Sequence, residues 1–227
     1  AGGRAAYVII DRQISSNQAR MTDQDEATLG RIVAACRELM ETDLCELFEE
    51  LGPLLTRMAI ARAETGRDRR ERVAAVSLKL ALPSVWEKVT PSLRDKLRKR
   101  ETDASRSGYA AAEQSNIRLL SREEESVRFA MREVLERVAL ACRDETKALE
   151  RRINYLVLRQ AMRPGDSTFK LSALWPCIEA TCAEFVRDTD ALILLLQLVG
   201  EQMAAEMPQL YRVVNEAMIE ADVLPRL

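Results

Sequence analysis

The sequence predicts an all-α protein, a multi-helix bundle built from long, kinked, antiparallel helices. Three observations lead there. Aromatic residues make up only 4% of the 227 residues, histidine is absent, and glycine (8) and proline (7) are scarce. A sheet protein draws on more aromatic and β-branched residues and on more turns. Apolar residues recur at steps of three and four over long stretches, which is the helical period. Serine, threonine and aspartate stand at the starts of those stretches, where a side-chain oxygen can accept from free helix N–H groups. With 47% hydrophobic and 31% charged residues, the chain can bury a core in one or two helical units.

The first helix is expected after Thr22, where Asp23, Asp25 and Glu26 favour a helix N-terminus. Leu29, Ile32, Val33, Cys36 and Leu39 form its inner face. Thr42 is read as the cap of a second helix with Leu44, Leu47, Phe48 and Leu51 inward. Gly52-Pro53 interrupts it, by a kink or a new start. A helical pattern continues from Leu54 to Ala63, and Gly66 is the natural stop. A short helix is then expected from about Asp68 to Leu82, with Val73, Val76 and Leu80 on its inner stripe and Pro83 at its end. Ser84-Val85-Trp86-Glu87 reads as a capping box opening a helix to about Arg100, bent at Pro91.

Residues 101–116 have little periodicity and read as a linker between an N-terminal helical region (1–100) and a C-terminal long-helix bundle (117–227), with one continuous domain as the alternative. Ser121-Arg122-Glu123-Glu124 is a second capping box. After it Val127, Met131, Val134, Val138 and Ala141 step by four, three, four and three. Glu145 breaks the stripe, which resumes out of phase at Leu149, Ile153 and Leu156. This fits one helix with a rotating face or two helices meeting near Asp144. Pro164-Gly165-Asp166 is a turn. Pro176 suits the first turn of a further helix with Ile178, Cys182, Phe185 and Val186 inward. Asp188 or Thr189 caps the last helix. Its stripe from Leu192 to Ala221 continues through Pro208, which implies a kinked helix buried internally or in a homodimer.

Much chemistry is excluded. Without histidine there is no Ser-His-Asp triad, no Cys-His pair and no Glu-x-x-His di-metal site. No glycine-rich phosphate loop occurs. Glu46, Glu49 and Glu50, like Glu123, Glu124 and Glu125, read as solvated faces or cap charges. Cys36, Cys45, Cys142, Cys177 and Cys182 are odd in number and lack a CxxC spacing, as expected of reduced thiols in the cytoplasm. The apolar runs Tyr7–Ile10 and Leu192–Val199 fall short of a signal peptide and of the ~20 residues of a membrane span. The expectation is a protein without catalytic residues, metal or cofactor.

The near-zero net charge of −2 hides a strong segregation. Residues 22–50 carry 2 basic and 9 acidic side chains, residues 57–100 carry 13 and 5, and residues 171–227 carry 3 and 9. A basic middle between acidic flanks serves an anionic partner or complements the protein's own acids. Arg67, Arg69, Arg70 and Arg72 stand at a helix start, where cations oppose the macrodipole. Arg94, Lys96, Arg98, Lys99 and Arg100 stand at a helix end, where cations favour it. These residues are the candidate anion- or partner-binding site. The aromatics that interleave basic residues in RNA readers are missing, with only Trp86 and Tyr109 nearby. Trp175 is either an exposed anchor or a core residue, and Arg151, Arg152, Asn154 and Tyr155 form a polar face, solvated or partner-facing.

Leu119-Leu120-Ser121 with Glu123-Glu124-Glu125, then Leu149, Arg152 and Leu156, then Leu210-Tyr211, Val214-Asn215 and Val223-Leu224-Pro225, resemble the bacterial helical family called domain of unknown function 1631. Asp43, Leu44, Leu47, Phe48 and Ser77-Leu78-Lys79-Leu80 resemble its upstream segments. Asp222 stands where the family usually has glycine, and Pro208 falls where an unbroken helix is expected. The resemblance implies a helical fold, a bacterial cytoplasmic setting and a place in a longer regulator, and it supplies no catalytic residue. Two functions follow as expectations: a non-catalytic regulatory or protein–protein interaction domain, self-association included, or a sensor binding an anionic nucleotide messenger or nucleic acid through residues 57–100.

Overall fold

A computed structural model describes residues 23–106, 122–163 and 168–224. They form six helices: α1 (Asp23–Thr65), α2 (Arg69–Arg106), α3 (Arg122–Ala141), α4 (Arg143–Leu158), α5 (Leu171–Phe185) and α6 (Thr189–Glu220). The all-α bundle of long helices is what the sequence predicts. The starts of α1 and α3 directly follow Thr22 and Ser121, which lie outside the described residues, as do Tyr7–Ile10, Tyr109 and Pro164-Gly165-Asp166. Residues 101–106 of the expected linker continue α2, and 107–116 lie outside the described residues.

The helices run longer than expected because their prolines sit on water-facing sides. Pro53, Pro83, Pro91 and Pro176 are exposed and Pro208 half-buried. Four residues earlier stand Glu49, Lys79, Glu87 and Ser172, exposed, and Ala204, half-buried. A helical proline deprives that carbonyl of its N–H partner; water can take the partner's place at an exposed or half-buried residue. Pro83 therefore does not end a helix, and α2 passes through it and Pro91. Thr42 caps nothing, since α1 is continuous from Asp23 through Pro53. Ser84 and Glu87 form no capping box, because they lie inside α2, and the Ser84 hydroxyl donates to the Ala81 carbonyl at 2.8 Å. Pro176 is in the second turn of α5, which begins at Leu171.

Helices α1 and α2 form an antiparallel hairpin. Arg62 meets Glu71 near its turn, and Glu49 meets Arg94 further along. The hairpin closes on Trp86, whose indole stacks on Phe48 with ring centroids 6.1 Å apart and donates to the Phe48 carbonyl at 2.7 Å. Gly52 makes room for that ring: a Cβ there would lie 2.2 Å from the indole. The Gly52-Pro53 pair is thus a notch for Trp86 rather than a helix break.

Helix α6 is the centre. It packs against all five other helices; no residue from Thr189 to Ala204 is exposed, and beyond that Met207, Leu210, Tyr211, Val214 and Met218 form its buried face. The stripe from Leu192 to Ala221 is therefore spent inside the chain. Helices α3 and α4 rise in step with α6, from Val134 beside Gly200 to Glu145 beside Arg212. The core is one contiguous cluster drawn from both sides of residues 107–121.

Helices α3 and α4 meet at Cys142, settling the choice between one helix and two. The slip places Cys142 inward and leaves Ala141 exposed. The stripe then runs Val138, Cys142, Glu145, Leu149, Arg152 and Leu156, so Glu145 stays in phase and turns half-buried toward α6. Asp188 caps α6, accepting from the Ala191 amide at 2.8 Å. Helix α6 ends in a Schellman turn: the Val223 amide donates to Met218, the Asp222 amide donates to Ile219, and Asp222 takes φ 60°. Asp222 thus adopts the left-handed conformation for which glycine is favoured. Helix α4 ends the same way, with Gln160 at φ 59°.

One expectation is reversed. Val73, Val76 and Leu80 are 58%, 46% and 72% exposed. The inward face of α2 is instead Ala74, Ala75, Leu78 and Leu82, all buried. Both sets have helical spacing, and the small Ala74 and Ala75 let α2 approach its neighbours closely, which the hydrophobicity of the sequence alone does not reveal.

Three substitutions test this packing. Gly200→Ala drives a Cβ to 2.1 Å from a Val134 methyl and should cost about 1–3 kcal/mol in urea unfolding. Gly30→Ala, with nothing within 4 Å of its Cβ, should gain about 0.5–1 kcal/mol through helix propensity. Asp222→Gly should raise the thermal midpoint, the left-handed conformation costing a non-glycine residue about 1–2 kcal/mol.

Candidate interaction surface

The start of α2 is built to tolerate its arginines. The Asp68 carboxylate accepts from the Glu71 amide at 2.8 Å, and the Glu71 carboxylate accepts from the Arg67 amide at 2.8 Å. Asp68, just before the helix, and Glu71, in its first turn, thus offset the cations there. Arg70 pairs with Asp190 at the start of α6, and that carboxylate raises the guanidinium's pKa. Arg72 donates to the Gly66 carbonyl at 3.3 Å. Arg62 bridges Glu71 and Glu201 at 3.2 and 3.0 Å.

The other end of α2 repeats the pattern. Arg94 meets Glu49 at 3.6 Å and Lys96 meets Glu184 at 2.6 Å. The Lys96 ammonium and the Ser92 hydroxyl hold the Glu184 carboxyl below its ordinary range. Arg100 donates to the Thr168 carbonyl at 3.2 Å. The acids come from the two acidic flanks: Glu49 from the first, Glu184, Asp190 and Glu201 from the last. Charge segregation along the chain becomes charge complementarity within it. Arg67, Arg69 and Arg98 are exposed, and Arg69 and Arg98 form no ion pair among the described residues. The candidate cations do not converge: they lie along the length of α2 and face different neighbours.

Opposite the core face of α2, the exposed positions Arg69, Val73, Val76, Leu80, Pro83 and Glu87 follow one another at steps of four, three, four, three and four. This is a heptad-like seam one side chain wide. The other large exposed apolar residues stand apart. Phe129 and Leu140 on α3 are separated by the ion pairs Arg132–Glu136 and Glu133–Arg137, Leu158 ends α4, and Ile219 lies in the last turn of α6.

A groove of about 600 Å³ lies between α3, α4 and the start of α5, with Tyr211 at its base. Its lining is mainly apolar, including Leu135, Leu149, Ile153 and Phe169. Cys142 lines it too, but burial pushes that thiol's pKa up to about 11, with Glu145 adding to the rise. A thiol so shifted stays protonated near neutral pH and lacks the activation a nucleophile needs. All five cysteines are free and buried.

The polar face expected around Arg151, Arg152, Asn154 and Tyr155 divides. Arg151 and Asn154 are exposed, whereas Arg152 is buried. Its guanidinium donates to the Asn215 side-chain oxygen at 2.9 Å and to the Ala148 carbonyl at 3.2 Å. Burial lowers its pKa, and Glu145 opposes that shift. Asn215 donates to the Glu145 carbonyl at 3.0 Å, and Arg212 pairs with the Glu145 carboxylate at 3.1 Å. The Tyr211 hydroxyl donates to the Phe169 carbonyl at 2.9 Å, and burial raises that phenol's pKa. This network was legible only in part: Arg152 lies seven residues after Glu145 on the inward face of α4, where it meets Asn215. Trp175 is a buried core residue.

Among the described residues no helix is long and apolar enough to cross a membrane, and no three acidic, cysteine or histidine side chains are placed to hold a metal ion. The architecture is that of a helical bundle domain wrapped around one central helix. The model of the family described as "Protein of unknown function (DUF1631) N-terminal domain" matches residues 24–222, and the chain belongs to that family. The match takes in the α1–α2 hairpin as well as the C-terminal helices. No curated protein and no solved structure matches the chain.

Two measurements check the interior chemistry. Asn215→Ala leaves the Arg152 guanidinium without its side-chain partner and should cost about 2–3 kcal/mol in urea unfolding; an unchanged midpoint would place that charge in water. The thiols predict a pH dependence. Unfolded thiols titrate near pH ~8.5, while burial holds Cys142 to about 11 and Cys182 to about 12. Above pH ~8.5 the unfolded chain releases protons that the folded chain keeps, so stability should fall as pH rises toward ~11. Cys142→Ala should make that fall shallower.

Proposed function

We propose that this chain is a non-catalytic helical domain of a bacterial cytoplasmic protein that acts by binding protein, in a regulatory role. The observation that carries this reading is the apolar seam of Val73, Val76 and Leu80 on the outer face of α2. A heptad-like seam turned to water is the surface a partner helix packs on. The missing histidine, the buried unactivated thiols and the apolar groove all sit better with binding than with catalysis. Free, buried cysteines suit a reducing compartment.

The alternative, a sensor for an anionic nucleotide messenger or nucleic acid, draws on the same basic middle. It has less support. Arg62, Arg70, Arg94 and Lys96 are already engaged by the protein's own carboxylates, and both tryptophans are buried away from any stacking role.

The test is a photo-crosslinking residue at position 80, with Leu80→Glu as a binding-defective control. Because the site is exposed, Leu80→Glu should shift stability by no more than about 0.5 kcal/mol. The crosslinker should capture protein in cell extract, and Val76→Glu in the same chain should abolish that capture. Capture of nothing would sink the reading. Titration with cyclic dinucleotides and short RNA at low salt checks the alternative, whose binding should weaken steeply as salt rises.

A further inference from the structure

The seam on α2 is symmetric in its own sequence. About position 78, Val76 mirrors Leu80, Val73 mirrors Pro83 and Arg69 mirrors Glu87. All six side chains are exposed, and Leu78 itself points to the core. In an antiparallel pair of identical helices related by a two-fold axis, each residue meets its mirror position in the other copy. Apolar positions would meet apolar ones, and each end would bring a cation to an anion.

From this we infer that the occupant of the seam is a second copy of the chain, docked α2 against α2 in antiparallel register, with Arg69 opposite Glu87 of the partner subunit at both ends. The inference rests on the protein-binding reading and names its partner. Neither Arg69 nor Glu87 forms an ion pair among the described residues, so both are available across the axis. The same register sets Arg72 opposite the partner's Ser84 and Lys79 opposite the partner's Ser77. Within each copy Arg72 is also held by the Gly66 carbonyl.

The seam's width argues for a helix rather than a lipid surface. Interfacial membrane helices bury a broad apolar face, often with tryptophan or phenylalanine. This seam is one side chain wide and aliphatic, and its period matches knobs-into-holes packing. From Arg69 to Glu87 it is roughly 27 Å long at 1.5 Å per residue. A single helix pair of that length is a small interface, so the dimer should be weak and concentration-dependent.

Sedimentation equilibrium of the purified chain over about 10–300 µM tests this, that range suiting a small interface. The wild type should pass from monomer to dimer, and Leu80→Glu should remain monomeric with its helical signal and thermal midpoint intact. Arg69→Glu and Glu87→Arg should each weaken the dimer at least threefold. The double variant carrying both should recover it, because the swapped charges face each other again only in the antiparallel register. A monomer at every concentration overturns the proposal, as does a dimer indifferent to Leu80→Glu or a double variant weaker than either single one. Leu80-dependent binding to vesicles of anionic lipid by a strictly monomeric chain would overturn it in favour of a membrane partner. If the chain is monomeric but position 80 captures a different protein in extract, the pairing fails and the protein-binding reading stands. If it captures nothing, both fail.

Discussion

The structure depends on burying the first half of one helix on nearly all sides. Helix α6 has no exposed residue from Thr189 to Ala204, and a water-facing stripe opens only beyond it, at Glu206, Gln209, Arg212 and Glu216, so its first half is stable only where other helices surround it. Five helices pack against α6. Their approach is limited by the bulk at each contact, and Gly200 marks the tightest point on α6, where a Val134 methyl occupies the space a side chain would need. Gly52 plays the same part in the hairpin, admitting the Trp86 ring against the backbone of α1. With so few aromatic residues, the core is filled by leucine, methionine and cysteine, and these two notches bring the helices close enough to pack.

Electrostatics then selects which helix sits where. The basic second helix lies between the acids of α1 and those of α5 and α6, and its ion pairs reach both ways. Most of these pairs are partly exposed, so each adds little stability in water. Their collective effect is on specificity: another helix order would bring like charges together. This use of the cations also bears on function. With several of them committed inside the chain, the outer face of α2 is left as a mixed apolar and charged seam rather than a uniform basic patch.

The residues of α4 and α6 that carry the family resemblance gather in the interior. Leu149, Arg152 and Leu156 on α4 pack toward Leu210, Tyr211, Val214 and Asn215 on α6, and Val223 closes the end of that helix. A buried guanidinium needs hydrogen-bond acceptors in fixed places, because burial without them is costly. Arg152 finds them in Asn215 and the Ala148 carbonyl, and Glu145 completes the network through Asn215 and Arg212. On α4 and α6 the shared pattern is therefore the interlock of two helices and the turn that follows, whereas on α2 Ser77, Lys79 and Leu80 face water.

Much of this was determined by the sequence alone. Helical periodicity established the fold class and the inward stripe of α6, and its cap was narrowed to Asp188 or Thr189. The lack of histidine and of a glycine-rich phosphate loop removed the chemistries that need them. The charge counts already held the complementarity that the ion pairs realise. The tertiary structure decided the rest, for identifiable reasons. Prolines ended no helix because four of the five inside helices faced water and Pro208 is only half-buried, and facing cannot be read from a proline itself. Asp222 entered the left-handed region because the contact between Val223 and Met218 and two amide bonds held it there. Arg152 turned inward because it shares the buried face of α4 with Leu149 and Leu156 and finds an acceptor in Asn215. The face of α2 carrying Val73, Val76 and Leu80 turned outward because Ala74, Ala75, Leu78 and Leu82 pack more closely against α1 and α6. Two faces of one helix had the same period, and only close packing chose between them.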